Sequence, residues 1–204
     1  MPKQIIQLDT WPRREHFQFF KEYDDPYWSA TAHLDASRLY QQAKSQKSPF
    51  SLGYLFHSLK AVNMVEALRM RIEDGQPVVY DAIHASNTIA RPNGAFGYSI
   101  HPYTPDLGEF IEQGIAEIER VQNESGLKSP YTDIDVIYYT VLRGVHFTSV
   151  DHPRHKRKET TIPLIAFGEM RDGKLPVAIH VNHALVDGQH VGQFFTFFQQ
   201  FMGT

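Results

Sequence analysis

Lys174-Leu175-Pro176-Val177-Ala178-Ile179-His180-Val181-Asn182, then His183-Ala184-Leu185-Val186-Asp187-Gly188, then Gln189-His190-Val191-Gly192-Gln193-Phe194-Phe195, decides how this chain is read. The first run alternates as a strand and the last has helical spacing. An imidazole therefore leaves the end of a strand, and a carboxylate four residues later opens a helix. Val177, Ile179, Val181 and His183 share parity, which predicts a ring on the apolar side of the strand end. Loss of water there disfavours the imidazolium. A neutral, oriented imidazole is what general-base chemistry requires. Asp187 at a helix start can accept backbone N–H groups and meets the positive end of the dipole. The stretch points to an enzyme; read alone, it also fits a core histidine followed by an ordinary N-cap.

Outward from this stretch, Asp172-Gly173 is a hairpin signal joining a strand over Ile162–Met170 to one over Lys174–His183. A strand carrying many Tyr and Val residues is predicted over Val136–Thr148, and others at Ile5–Leu8, Tyr27–Leu34, Val78–Tyr80 and Ile83–Ile89. Helices are predicted over Arg13–Tyr23, from an Asp35 cap to Ser45, after an Asp106 cap, and over Asp187–Phe201. Leu52, Leu55, Phe56, Leu59, Val62, Val65 and Leu68 form the stripe of a long amphipathic helix from Ser51 to about Glu73. Loops are expected over Asn123–Pro130 and the basic Asp151–Lys158. The fold class is α/β of the α+β type: a mixed, largely antiparallel sheet covered by helices in two layers, as one domain over residues 1–204.

At 42% hydrophobic and 21% charged residues, the 204-residue chain has an ordinary soluble composition. A net charge of −3 leaves no footprint for nucleic acid or an anionic membrane. No apolar run is long enough to cross a bilayer. The absence of cysteine excludes disulfide and thiol chemistry and fits a cytoplasmic location. None of the 11 histidines has the spacing of a metal site, so no metal is expected.

Trp11-Pro12-Arg13-Arg14-Glu15-His16-Phe17, His146-Phe147-Thr148-Ser149 and the Pro176–Gly192 stretch together resemble the chloramphenicol acetyltransferase family. Leu34-Asp35, Phe50, Tyr80-Asp81 and the Pro163 strand fall in matching order. The His-x-x-x-Asp-Gly motif is shared with the wider CoA-dependent acyltransferases. The resemblance implies acetyl-CoA as co-substrate, a small hydroxylated acceptor such as chloramphenicol, and a homotrimer whose base faces a pocket partly lined by the next subunit. It makes His183 the base and pairs Asp187 with Arg13 to fix the loop carrying it. Thr140 becomes the hydroxyl donor to the oxyanion, and Phe19, Phe20, Trp28 and Tyr138 fall near acceptor-pocket positions.

The chain departs from that pattern at several places. Asn182 precedes His183 where the family usually has a second histidine, and Ala166 stands where a threonine assists the transition state. Pro49 and Glu169 replace two lysines near the CoA phosphates, where Lys44, Lys47 or Arg154–Lys158 would have to compensate. A non-catalytic ligand-binding homologue and an acyltransferase for a different acceptor are therefore kept as alternatives.

Overall fold

The computed structural model describes residues 1–127, 133–153 and 161–204. In chain order its elements are β1 (Lys3–Ile5), α1 (Arg14–Phe20), β2 (Tyr27–Asp35), α2 (Ser37–Gln46), α3 (Phe50–Met64), α4 (Glu66–Arg69), β3 (Met70–Glu73) and β4 (Gln76–Tyr80). There follow β5 (His84–Ala90), β6 (Phe96–His101), α5 (Leu107–Asn123), β7 (Val136–Val141), β8 (Leu164–Phe167), β9 (Lys174–Asn182) and α6 (Gly188–Met202). A six-stranded sheet runs β2-β9-β8-β7-β5-β6, and a small sheet runs β1-β4-β3. The small sheet is antiparallel; in the large one β5–β7 and β7–β8 are parallel and the other pairs antiparallel.

One face of the large sheet carries the core. Ile137, Tyr139, Ile165, Phe167, Val177, Ile179 and Val181 pack with Leu52, Leu55, Phe56 and Leu59 of α3 and Phe194 and Phe198 of α6. Among the described residues the opposite face carries a small cluster, Phe147, Ala166 and Ala178. The helices thus form one layer and the sheet the other, as the sequence predicts.

The hairpin expected at Asp172-Gly173 is present: both residues have positive φ, 49° and 77°, the signature of a type I′ turn. Asp74-Gly75 repeats the geometry between β3 and β4, with φ of 49° and 75°.

Three expectations are corrected, and one further strand is added. The long helix breaks at Met64, and Met70–Glu73 is a strand. The apolar stripe hid the break because α3 is buried on most sides, Tyr54, Ala61 and Ser58 included, and is no half-exposed amphipathic helix. The strand from Val136 stops at Val141, since Gly144 turns the chain at φ 76°. Phe96–His101, for which no strand is predicted, is an edge strand: Phe96, Tyr98 and Ile100 alternate with Gly97, Ser99 and His101, but the apolar set is the more exposed one. Finally, β9 is buried on both faces from Leu175 to Asn182, so parity does not separate an apolar side from a wet one. The basic run over residues 154–158 lies outside the described residues.

Candidate active site

Strand β9 ends at Asn182, and the chain turns before α6 begins. Asn182 starts the turn: its carbonyl accepts from Leu185 N at 3.1 Å and Val186 N at 2.9 Å, and its side-chain Oδ1 accepts from Ala184 N at 2.9 Å. The Trp28 indole N–H donates to Val186 O at 3.1 Å, and the His183 backbone N–H donates to Pro26 O at 2.7 Å. A buried turn cannot leave these groups unpaired without cost, and here β2 and its preceding loop satisfy them.

The His183 ring protrudes from this turn and is half-buried. It stacks on Phe20 with centroids 4.0 Å apart and planes 11° apart, while Trp28 lies 5.6 Å away at 44°. Its Nδ1 is buried without a hydrogen-bond partner. The ring is therefore not sealed in hydrocarbon, and its orientation comes from aromatic packing rather than from a carboxylate. Phe19 is 59% exposed and reaches His183 only through Phe20. Tyr23, which sequence reasoning did not single out, closes a three-ring cluster with Phe19 and Phe20, at centroid distances of 5.3 and 5.2 Å.

Asp187 caps α6, its Oδ1 accepting from Gln189 N at 3.0 Å and His190 N at 3.4 Å. Its other oxygen, Oδ2, binds Arg13 Nη1, so the sequence-predicted pair is formed. It ties the start of α1 to the turn carrying His183. Burial raises the Asp187 carboxyl, but the Arg13 charge, that of His190 when protonated, and the hydrogen bonds outweigh it and hold the carboxyl below its ordinary value. A depressed carboxyl adds stability that is complete above the unfolded-state value and fades as pH falls through the folded one. The melting temperature of Asp187→Asn should therefore lie below wild type at pH 7, with the gap closing towards pH 3. Asparagine caps helices well, so a gap independent of pH would show that the Arg13 pair contributes nothing.

Thr140 and Tyr138 are not brought to His183 within one chain. Thr140 lies opposite Ala166, and Ala166 opposite Ala178, two strands away. Ala178 is five residues before His183, which at about 3.3 Å per residue leaves roughly 16 Å along the sheet. Tyr138 and Thr140 alternate with the core-facing Ile137 and Tyr139, so they point to the face without helices, where Tyr138 is 39% exposed. Pro49 is the residue before α3, and the exposed Glu169 accepts from Gly144 N at 3.2 Å. Among the described residues no group of three or more His, Asp or Glu side chains could hold a metal.

A mixed sheet with helices on one face is a fold this chain has in common with dihydrolipoamide acetyltransferase cores. That of Azotobacter vinelandii superposes with a TM-score of 0.63 at 12% identity, covering 92% of this chain and 85% of that one, a likeness of fold alone. The family described as chloramphenicol acetyltransferase matches residues 1–199. A solved chloramphenicol acetyltransferase has a TM-score of 0.90 and 29% identity, over 98% of this chain and all of that one. Chloramphenicol acetyltransferase 3 of Escherichia coli is 26% identical over 96% of this chain and 94% of its own length. The enzyme of Bacillus pumilus is also 26% identical, over 95% and 90%. The chain belongs to the chloramphenicol acetyltransferase family and is an acyltransferase.

Proposed function

We propose that the protein is an acetyl-CoA-dependent O-acetyltransferase for a small hydroxylated acceptor, chloramphenicol or a similar compound, with His183 as the general base. The observation that carries this reading is the His183 ring, half-buried, stacked on Phe20 and held on a turn that Arg13 and Asp187 lock to α1. The imidazole takes the acceptor hydroxyl proton while the oxygen attacks the thioester carbonyl. The C–O bond forms, the C–S bond breaks, and the proton passes to the leaving thiolate. No acyl-enzyme is needed. Phe19, Phe20 and Trp28 line the acceptor side. The test is release of CoA thiol from acetyl-CoA over a panel of alcohols that includes chloramphenicol. Release no faster than with His183→Ala overturns the reading.

The assembly we infer is a homotrimer in the cytoplasm. Thr140 and Tyr138 stand on the uncovered sheet face, far from the His183 of their own chain, which suits donation to a neighbouring copy's site. There Thr140 would supply the oxyanion donor, worth about 3 kcal/mol. Sedimentation at assay concentration should give three times the chain mass; a persistent monomer contradicts it.

A second reading is a homologue that binds a ligand without turnover. It is favoured by Ala166, fully buried where a hydroxyl is expected, and by the acidic Glu169. Calorimetry separates the two: ligand binding without CoA binding supports this one.

A further inference from the structure

We propose that His190 is a positioning residue for the acyl-transfer site: as a neutral imidazole it ties the end of the His183 turn to α6, and its protonation releases that tie. The inference rests on the reading of His183 as the base.

The turn runs from Asn182 to Asp187. At its far end the Asp187 backbone N–H donates to His190 Nδ1 at 3.1 Å. This completes a capping box, in which the third helical residue returns a side-chain acceptor to the cap residue. The usual occupants are Glu and Gln, which keep their acceptor oxygen through the neutral range; histidine does not.

The same Nδ1 also lies 3.1 Å from Asp187 Oδ1. Only a lone pair on Nδ1 satisfies the amide, and only a proton on Nδ1 suits the carboxylate. The two protonation states therefore make opposite contacts with one residue. With a lone pair on Nδ1, Asp187 N–H is bonded and Oδ1 is left to the N–H groups of Gln189 and His190. With a proton there, the amide loses its acceptor and Nδ1–H competes for the oxygen that starts the helix. His190 is half-buried. Burial lowers its ordinary value, Asp187 raises it, Arg13 lowers it and Glu66 of α4 raises it, with a net lowering. The ring is thus held neutral, the Asp187 N–H selects the tautomer with its lone pair on Nδ1, and acid drives the exchange.

Two variants and two readouts test this. His190→Gln retains an acceptor that does not titrate, whereas His190→Ala has none. With acetyl-CoA and a responsive alcohol, His190→Ala should lose about five-fold in kcat with little change in KM, the order of a lost helix cap. Glutamine should restore kcat. The ratio of wild-type to His190→Gln activity should fall as pH drops from 8 to 5. The protection factor of the Asp187 amide, its exchange rate relative to the intrinsic rate at the same pH, should be high in wild type and His190→Gln at neutral pH, and low in His190→Ala and in acidified wild type. Superimposable pH profiles for wild type and His190→Gln overturn the proposal, as does equal Asp187 exchange in wild type and His190→Ala. If exchange follows the expected pattern while every variant, wild type included, lacks turnover, the tie stands and the acetyltransferase reading falls.

Discussion

Replacing His183 with alanine should lower the rate of CoA thiol release by about 10²–10⁴-fold, the span that one positioned general base supplies. The loss should fall on kcat. On the proposed mechanism the ring acts in the transition state, where it removes the proton that otherwise stays on the attacking oxygen, and not in ground-state binding of acetyl-CoA. Stability should change far less, because the ring is half-buried and the turn that carries it is held by other groups. Asn182 and Trp28 bond the turn's backbone, and Arg13 holds Asp187. The parallel measurement is a urea melt of both proteins, so that lost turnover is not mistaken for lost fold. An alanine variant that folds normally and keeps more than a tenth of wild-type kcat removes His183 from the chemistry.

Arg71→Ala should cost roughly 2–5 kcal/mol of folding free energy, since each buried acceptor left unsatisfied costs about 1–3 kcal/mol and water recovers part of the loss. Arg71 is 0% exposed, and the backbone bonds it makes are to carbonyls. Its Nε donates to Ile134 O at 2.8 Å, Nη1 to Leu68 O at 3.1 Å and Met70 O at 2.6 Å, and Nη2 to Val136 O. These acceptors lie at the end of α4, on β3, and at the approach to β7. One guanidinium thus joins the small sheet to the large one. Burial pushes it down to about 10, with Tyr80 and Asp135 opposing, so the group remains charged at neutral pH. Alanine leaves four carbonyls without this donor and opens a cavity. Lysine restores the charge but not the planar fork, and should recover only part of the loss. Urea midpoints for the three proteins decide this; a loss below 1 kcal/mol for alanine shows that water replaces the clamp without difficulty.

The strands and helices that were legible in the chain share one property: their patterns were driven by local chemistry. The Asp172-Gly173 turn needed positive φ at two successive residues, which Asp and Gly tolerate. The Asp106 cap accepts from Glu109 N at 2.7 Å, as the residue type predicts. The strand-to-helix turn that carries His183 and Asp187 follows from residue types and spacing. The missed features depended on distant neighbours. Arg71 looked like the tail of a long helix because its partners lie more than sixty residues away at Ile134 and Val136. The edge strand Phe96–His101 buries its small and polar set, Gly97, Ser99 and His101, rather than Phe96, Tyr98 and Ile100, and its free edge is met by α5: Ile100 N donates to Glu117 at 2.8 Å, and Arg120 reaches Tyr98 O at 3.3 Å.

By itself the sequence determined the strand–turn–helix that carries His183, the carboxylate that caps it, the type I′ hairpin before it, and the layered α+β class, because each rests on dihedral preference, periodicity or residues a few positions apart. Tertiary structure alone decided that Phe20 stacks on His183, that Arg71 joins the two sheets, and that Thr140 lies across the sheet from the base in its own chain. Those contacts follow from strand order and register, which sum weak preferences over the whole chain and leave no mark in any short stretch of it.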